Sequence, residues 1–263
     1  KAILENRIDS RNFILCTDDS HSATLVNDGH MDRVVRHAIA QGLAPITAIQ
    51  MATLNPAQHF GVEREIGSIA PGRRADIVIS SDLVTLPIET VIAAGRVVAE
   101  HGKLTAEIPP YAYPASVRGT VRLKAPLTAR DFDIAAPPGA NQVRARVIGI
   151  VENQAPTKAL ERTLPVRDGL VEGDRSADVC QIAVVERHRA TGRVVNAFVS
   201  GFGYGLNCAV ASTVAHDSHH IIVVGTSKAD MAGAANRLAE VGGGAVVFKD
   251  GRELALVELP IAG

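Results

Sequence analysis

The sequence predicts a mixed α/β chain: an α/β segment, then a small β unit, then an α+β domain. Three observations carry this. An apolar run at residues 13–16 ends in two carboxylates, Asp18 and Asp19, and passes into helical periodicity. Between residues 66 and 104, short β-branched runs are divided by turns at Gly72, Gly95 and Gly102. Beyond residue 141, strand-like runs frame one capped helical stripe.

Composition narrows the function classes. The chain has 263 residues, 46% of them hydrophobic, with a formal net charge of −1 and a pI near 6.8. No broad basic field is available to hold nucleic acid or an anionic membrane surface. Tryptophan is absent and aromatics make up only 3%, which leaves few platforms for stacking bases. Cys16, Cys180 and Cys208 are too few and too scattered for a disulfide framework, so a reducing cytoplasm is expected. No run of apolar residues is long enough for a membrane span. A chain that opens on Lys1 rather than Met is expected to lack its true N-terminus.

The elements follow in order. Residues 13–17 read as a buried strand with its acids at the carboxyl end, the edge where barrels and doubly wound sheets gather ligand chemistry. Met31, Val34, Val35, Ala38 and Ile39 make one apolar helix face, stopped by Gly42. Pro45 opens a second helix with Ile46, Ile49 and Ala52 on its inner side, and Asn55-Pro56 starts a third that ends at Gly61. Pro71-Gly72 is a turn before an apolar run to Ile79, and two further short strands meet at Gly95. Residues 105–140 hold six of the thirteen prolines and read as an extended surface connector. Strands are expected in "VRARVIGIV", "CQIAVVER" and "HHIIVVG", a helix capped by Ser227 and Asp230, and a hairpin turned at Asp250-Gly251. The expected domains are therefore 1–62, 63–105, a connector over 106–140, and 141–263.

Two clusters could carry chemistry. Neighbouring strand side chains point to opposite faces, so one acid of the Asp18-Asp19 pair faces a barrel mouth; Asp18 is that residue, and Asp19 orients the following loop. The plain alternative is a solvated strand end. "HDSHH", residues 216–220, admits three readings: a polar strand-entry loop, a loop that touches substrate through His216, Asp217 or His219, or a separate metal site. Adjacent His-Asp-Ser side chains diverge and cannot form a triad. "GFGYGLNC" lacks dinucleotide-loop spacing and reads as a glycine-rich turn. "GTSKADM" reads as a capped helix start, with anion binding as the alternative.

"CTDDSHSATLVNDGHMDRVVRHAIAQGLAPITAIQMATLNPAQHFG" followed by "GSIAPGRRADIVI" resembles the adenine deaminases of the amidohydrolase superfamily, and "VASTVAHDSHHIIVVGT" and "ELPIAG" resemble their C-terminal domain. The resemblance implies the end of a (β/α)8 barrel, part of a composite β-sandwich and an extra domain. It makes residues 13–18 the eighth barrel strand and Asp18 a metal ligand and proton carrier. It places Asp19, His21, His216, Asp217 and His219 near the substrate or the water beside it. It also implies a binuclear manganese or iron site that acts on adenine, a homo-oligomer, and no nucleic-acid or membrane partner. The other metal ligands of such enzymes have no counterpart here. The chain is thus expected to be an internal piece, inactive alone, with a different amidohydrolase or a non-catalytic module as alternatives.

Overall fold

The computed structural model describes residues 3–152 and 154–263, divided into two compact units, 1–110 and 111–263.

The first unit carries helices α1 (Ser22–Asn27), α2 (Met31–Ala40), α3 (Pro45–Ala52) and α4 (Leu54–His59). The apolar stripe of α2 goes inside as its periodicity requires: Val35 and Ile39 are buried, with Met31 and Ala38 against the same cluster. Gly42, at φ 101°, lets the chain turn back while its N–H donates to Ile39 O. The inner face of α3 is centred on Ala48 and Met51; Ile49 and Ala52 pack against the same cluster as expected, whereas Ile46 is 56% exposed. Proline at the first position sets the phase of α3, so the residues three and six positions on point inward. Helix α4 begins two residues earlier than expected, with Thr53 at its N-cap, so Asn55 lies inside it rather than capping it.

The expected strand at 13–17 is a correction. These residues run extended but pair with no strand; Leu15 N–H donates instead to Met51 O. A ladder needs a neighbouring strand on at least one side, and the described residues offer none. Strands β1 (Ile77–Ser80), β2 (Ile88–Ala93), β3 (Arg96–Glu100) and β4 (Lys103–Leu104) form one antiparallel sheet in that order. Asp76 accepts from the Ala94 N–H at 2.8 Å and from Arg74 Nε, tying the entry of β1 to the β2–β3 turn.

The second unit is one nine-stranded sheet with a single long helix. Its strands are β5 (Gln142–Gly149), β6 (Lys158–Arg167), β7 (Leu170–Val171), β8 (Val179–Val185), β9 (Val194–Ser200), β10 (Cys208–Ser212), β11 (Ile221–Gly225), β12 (Gly244–Lys249) and β13 (Arg252–Glu258). They lie in the order β13-β12-β10-β11-β8-β9-β5-β6-β7, antiparallel except for β5 beside β9. Helix α5 (Lys228–Val241) joins β11 to β12. Both strands are antiparallel to β10, which lies between them, so they run in the same direction. Met231, Ala234, Ala235 and Leu238 of α5 are fully buried against Ala183, Val185, Ile221, Val223 and Val246.

Residues 111–140 are mostly exposed, but two of their side chains enter the core. Phe132 is fully buried in the sheet–helix core, and Val121 packs with it. Short 3-10 turn Ala129–Phe132 is fixed by reciprocal Thr128–Asp131 bonds, and Asn236 of α5 exchanges two hydrogen bonds with the Leu127 backbone, at 2.8 and 2.9 Å. Prolines resist helix but do not prevent burial of the residues between them.

Candidate functional site

In the first unit the acidic segment is held from below. Asn55 is 6% exposed and donates through Nδ2 to Ser10 O at 2.9 Å and Phe13 O at 2.8 Å. With the Leu15–Met51 bond, this anchors the extended chain up to Leu15. Asp18 then takes a left-handed conformation, φ 54°, and its Oδ1 accepts from the Asp19 N–H at 2.8 Å. Both acids are exposed, and Asp18 borders none of the main cavities. His21 is the exposed N-cap of α1, and its side chain makes no capping bond. His30 likewise precedes α2, where Asp32 accepts from its N–H at 2.8 Å and pairs with Arg36.

A carboxylate is a sound oxygen donor for a divalent cation, but one carboxylate is not a site. Among the described residues no three His, Cys, Asp or Glu side chains are grouped to hold a metal ion. The described residues therefore do not accommodate a binuclear centre by themselves.

In the second unit "HDSHH" forms a turn over residues 216–218 and then enters β11. No helix brings His216 to His220. Instead the His216 ring lies 5.3 Å from that of His219, and His220 lies 4.8 Å from His188. His216, Asp217 and His219 are exposed. Burial pulls the His220 imidazole below its usual pKa, and the neighbouring His188 adds to the effect.

The residue that holds this loop is one the sequence did not advertise. Arg187, 2% exposed at the end of β8, donates to His219 O at 2.5 Å, to Thr120 Oγ1, and to the carbonyls of Ala262 and Gly263. Burial lowers its pKa. Beside it the Glu186 carboxylate accepts from the N–H groups of Thr191, Arg189 and His188, which holds its pKa down to about 2. The glycine-rich turn is organised similarly: Asp178 accepts from Gly201 N–H at 2.9 Å and Gly203 N–H at 2.7 Å. A side chain that serves backbone far away in sequence leaves no local pattern, so spacing alone finds neither Arg187 nor Asn55.

Two segments of the chain match known families. Residues 2–98 match the amidohydrolase family and residues 154–263 match the adenine deaminase C-terminal domain. Across all of its length the chain is 70% identical to adenine deaminase 3 of Rhizobium meliloti (strain 1021) and 50% identical to the adenine deaminase of Moorella thermoacetica. It is 69% identical to the adenine deaminase of Ruegeria pomeroyi. In each case it spans 44% of the relative's own length.

Proposed function

We propose that a protein of the relatives' length carrying this chain hydrolyses adenine to hypoxanthine and ammonia. Water adds at C6, the exocyclic C–N bond breaks, and the amine leaves after gaining a proton. The observation that supports this reading is 70% identity over the whole chain to a protein named adenine deaminase.

Asp18 is the residue assigned to the chemistry. Its carboxylate would serve as one oxygen ligand of a divalent pair, manganese or iron. Divalent cations, when bound, supply the Lewis acidity that makes water a nucleophile near neutral pH. Asp18 carries the proton from that water to the leaving amine, as a positioned carboxylate does in general acid–base catalysis. Asp19 orients the loop, and His21, His216, Asp217 and His219 contact the purine or the water beside it. Exposure of Asp18 within this chain fits a residue whose surroundings come from the remainder of such a protein. The cytoplasm and a homo-oligomeric state are part of the same reading.

Ammonia release tests it. A protein of the relatives' length loaded with Mn2+ is expected to release ammonia from adenine but not from guanine, and to lack dihydroorotate hydrolysis. Asp18→Asn is expected to lower kcat by at least about 100-fold, the lower end of a general acid–base contribution. Full activity in that variant removes Asp18 from the mechanism, and absence of adenine turnover removes the substrate. The 263-residue chain alone is expected to be inactive.

A further inference from the structure

The nine-stranded sheet of the second unit uses its two faces differently. Ala183, Val185, Val223 and Val246 turn toward α5 and join its core. Strand side chains alternate, so the residues between these point the other way. The strand registers align them into two rows that cross six strands from β9 to β13. One row is Ala197, Ile182, Val224, Val210, Val247 and Ala255. The other is Val195, Val184, Ile222, Ser212, Ala245 and Val257. Ser212 is the one polar side chain in either row.

This face lacks a cover of its own. Tyr204 of the glycine-rich turn packs with Cys180, Val199 and Ile182 at its margin. Among the described residues no apolar cluster closes over the rest. Val195 and Val257, at the two ends of one row, are 48% and 60% exposed, and Val184 and Ile222 between them are half-buried. With strands about 4.8 Å apart and residues about 3.4 Å apart, the two rows cover about 400 Å2. A contiguous apolar patch of that size marks an interaction surface. Neither row holds a charge, so burial against an apolar partner leaves no ion unpaired.

We propose that this face pairs with the same face of a second copy of the chain. The pairing deepens the homo-oligomeric part of the reading above, on which it rests, and does not depend on adenine hydrolysis. A two-fold axis parallel to the strands, between β11 and β10, reverses strand order and preserves height along the strands. Strand β9 then lies over β13 of the second copy, β8 over β12, and β11 over β10. Ile182 meets Val247, Val184 meets Ala245 and Ile222 meets Ser212, so a bulkier side chain falls opposite a smaller one each time. That is the interdigitation two packed sheets need, and a two-fold delivers it from one sequence. Six overlapping strands about 20 Å long bury about 600 Å2 on each copy, which reaches the total of about 1,200 Å2 that a specific, stable interface requires.

The two-fold makes a prediction that one chain cannot satisfy alone. Val195 and Val257 lie five strand spacings apart in one copy, about 24 Å, too far for a disulfide, yet they face each other across the axis. In a protein of the relatives' length carrying Cys16→Ser, the exposed pair V195C/V257C is expected to oxidise to a covalent dimer. Peptide mapping is expected to find 195 joined to 257, and neither single variant is expected to cross-link. Sedimentation velocity is expected to show a dimer for the wild type, and Ile222→Lys is expected to weaken it at least about 100-fold by burying an unpaired charge. The cysteine pair decides the matter if Ile222→Lys does not fold. A dimer without the 195–257 link, undisturbed by Ile222→Lys, overturns this interface and leaves the homo-oligomeric reading standing. A monomeric wild type overturns both. If the introduced thiols of that monomer also resist labelling, the occupant is the remainder of the longer protein rather than a second copy.

Discussion

In residues 111–263 a fourteen-residue helix closes over a nine-stranded sheet, and Phe132, Met231 and Leu238 have no exposed surface. In residues 1–110 helices α2 and α3 share one cluster around Val35, Ile39, Ala48 and Met51, while Phe60, Ile69 and Val26 lie more than 70% exposed. The contrast separates two ways of using apolar residues. The second unit spends them on its own core, and that core supplies the stability of its loops. The first unit leaves a large share facing outward, and its acidic segment is fixed by a few hydrogen bonds rather than by a sheet. Domains with too little internal burial are marginal alone. Residues 111–263 are therefore expected to fold by themselves and residues 1–110 to be poorly soluble.

Core truncations test the contrast most strongly. Phe132→Ala is expected to cost about 3–5 kcal/mol, because the ring is enclosed by the sheet and α5. Met51→Ala is expected to cost about 2–3 kcal/mol, since its neighbours are partly exposed and the gap can collapse. Urea unfolding read by amide exchange within each unit measures both. Equal losses would mean that the two cores are equally tight.

A finer comparison uses two asparagines with the same task. Asn236 joins α5 to the Leu127 backbone through a donor and an acceptor, and Asn55 joins α4 to Ser10 and Phe13 through two donations. Either alanine variant leaves backbone groups without a partner, at about 1–3 kcal/mol. The outcomes are expected to differ in kind. Asn236→Ala lowers the stability of the second unit as a whole, because residue 127 packs on its core. Asn55→Ala releases the chain around residues 10–17 and is expected to speed thiol labelling of Cys16 while leaving Cys180 unreactive. Burial raises the Cys180 thiol to about 12, with Asp178 adding to it.

Much of this was legible in sequence. The stripe of α2, the Ser227 cap and stripe of α5, and the turns at Gly95 and Asp250-Gly251 all follow from local rules: period, cap and positive φ. What failed was long-range. Residues 13–17 have strand composition but no partner, since pairing is a property of two segments. Proline content at 105–140 concealed Phe132, whose burial depends on a helix about a hundred residues away. Ser227 does cap α5, but the Asp230 carboxylate accepts from Gly251 N–H at 2.7 Å across the hairpin rather than reaching back. Asp18, His21, His216, Asp217 and His219 were chosen by chemistry, and chemistry does not say what surrounds them.

The smallest effect expected is also the one with a sign set by pH. Glu186 gathers the N–H groups of His188, Arg189 and Thr191 and the Thr191 hydroxyl, so it fixes the turn between β8 and β9 while ionised. Its folded pKa of about 2 lies below that of an unfolded glutamate, near 4.3. The unfolded state then binds the proton first, and the stabilisation is complete above about pH 4.3 and lost as pH falls through 2. Glu186→Gln is expected to cost about 1 kcal/mol at pH 6, a value kept small by solvent screening, and nothing below pH 2. In the first unit Asp32 is also held below its usual value, although burial opposes this, by the His30 N–H and Arg36. Acid should therefore loosen both turns. Because Arg187 next to Glu186 also holds His219, the second unit alone should show the loss spread to the 216–220 loop. Amide exchange that stays local to residues 186–191 at pH 3 would uncouple the two, and Arg187 would then hold the loop without help from Glu186.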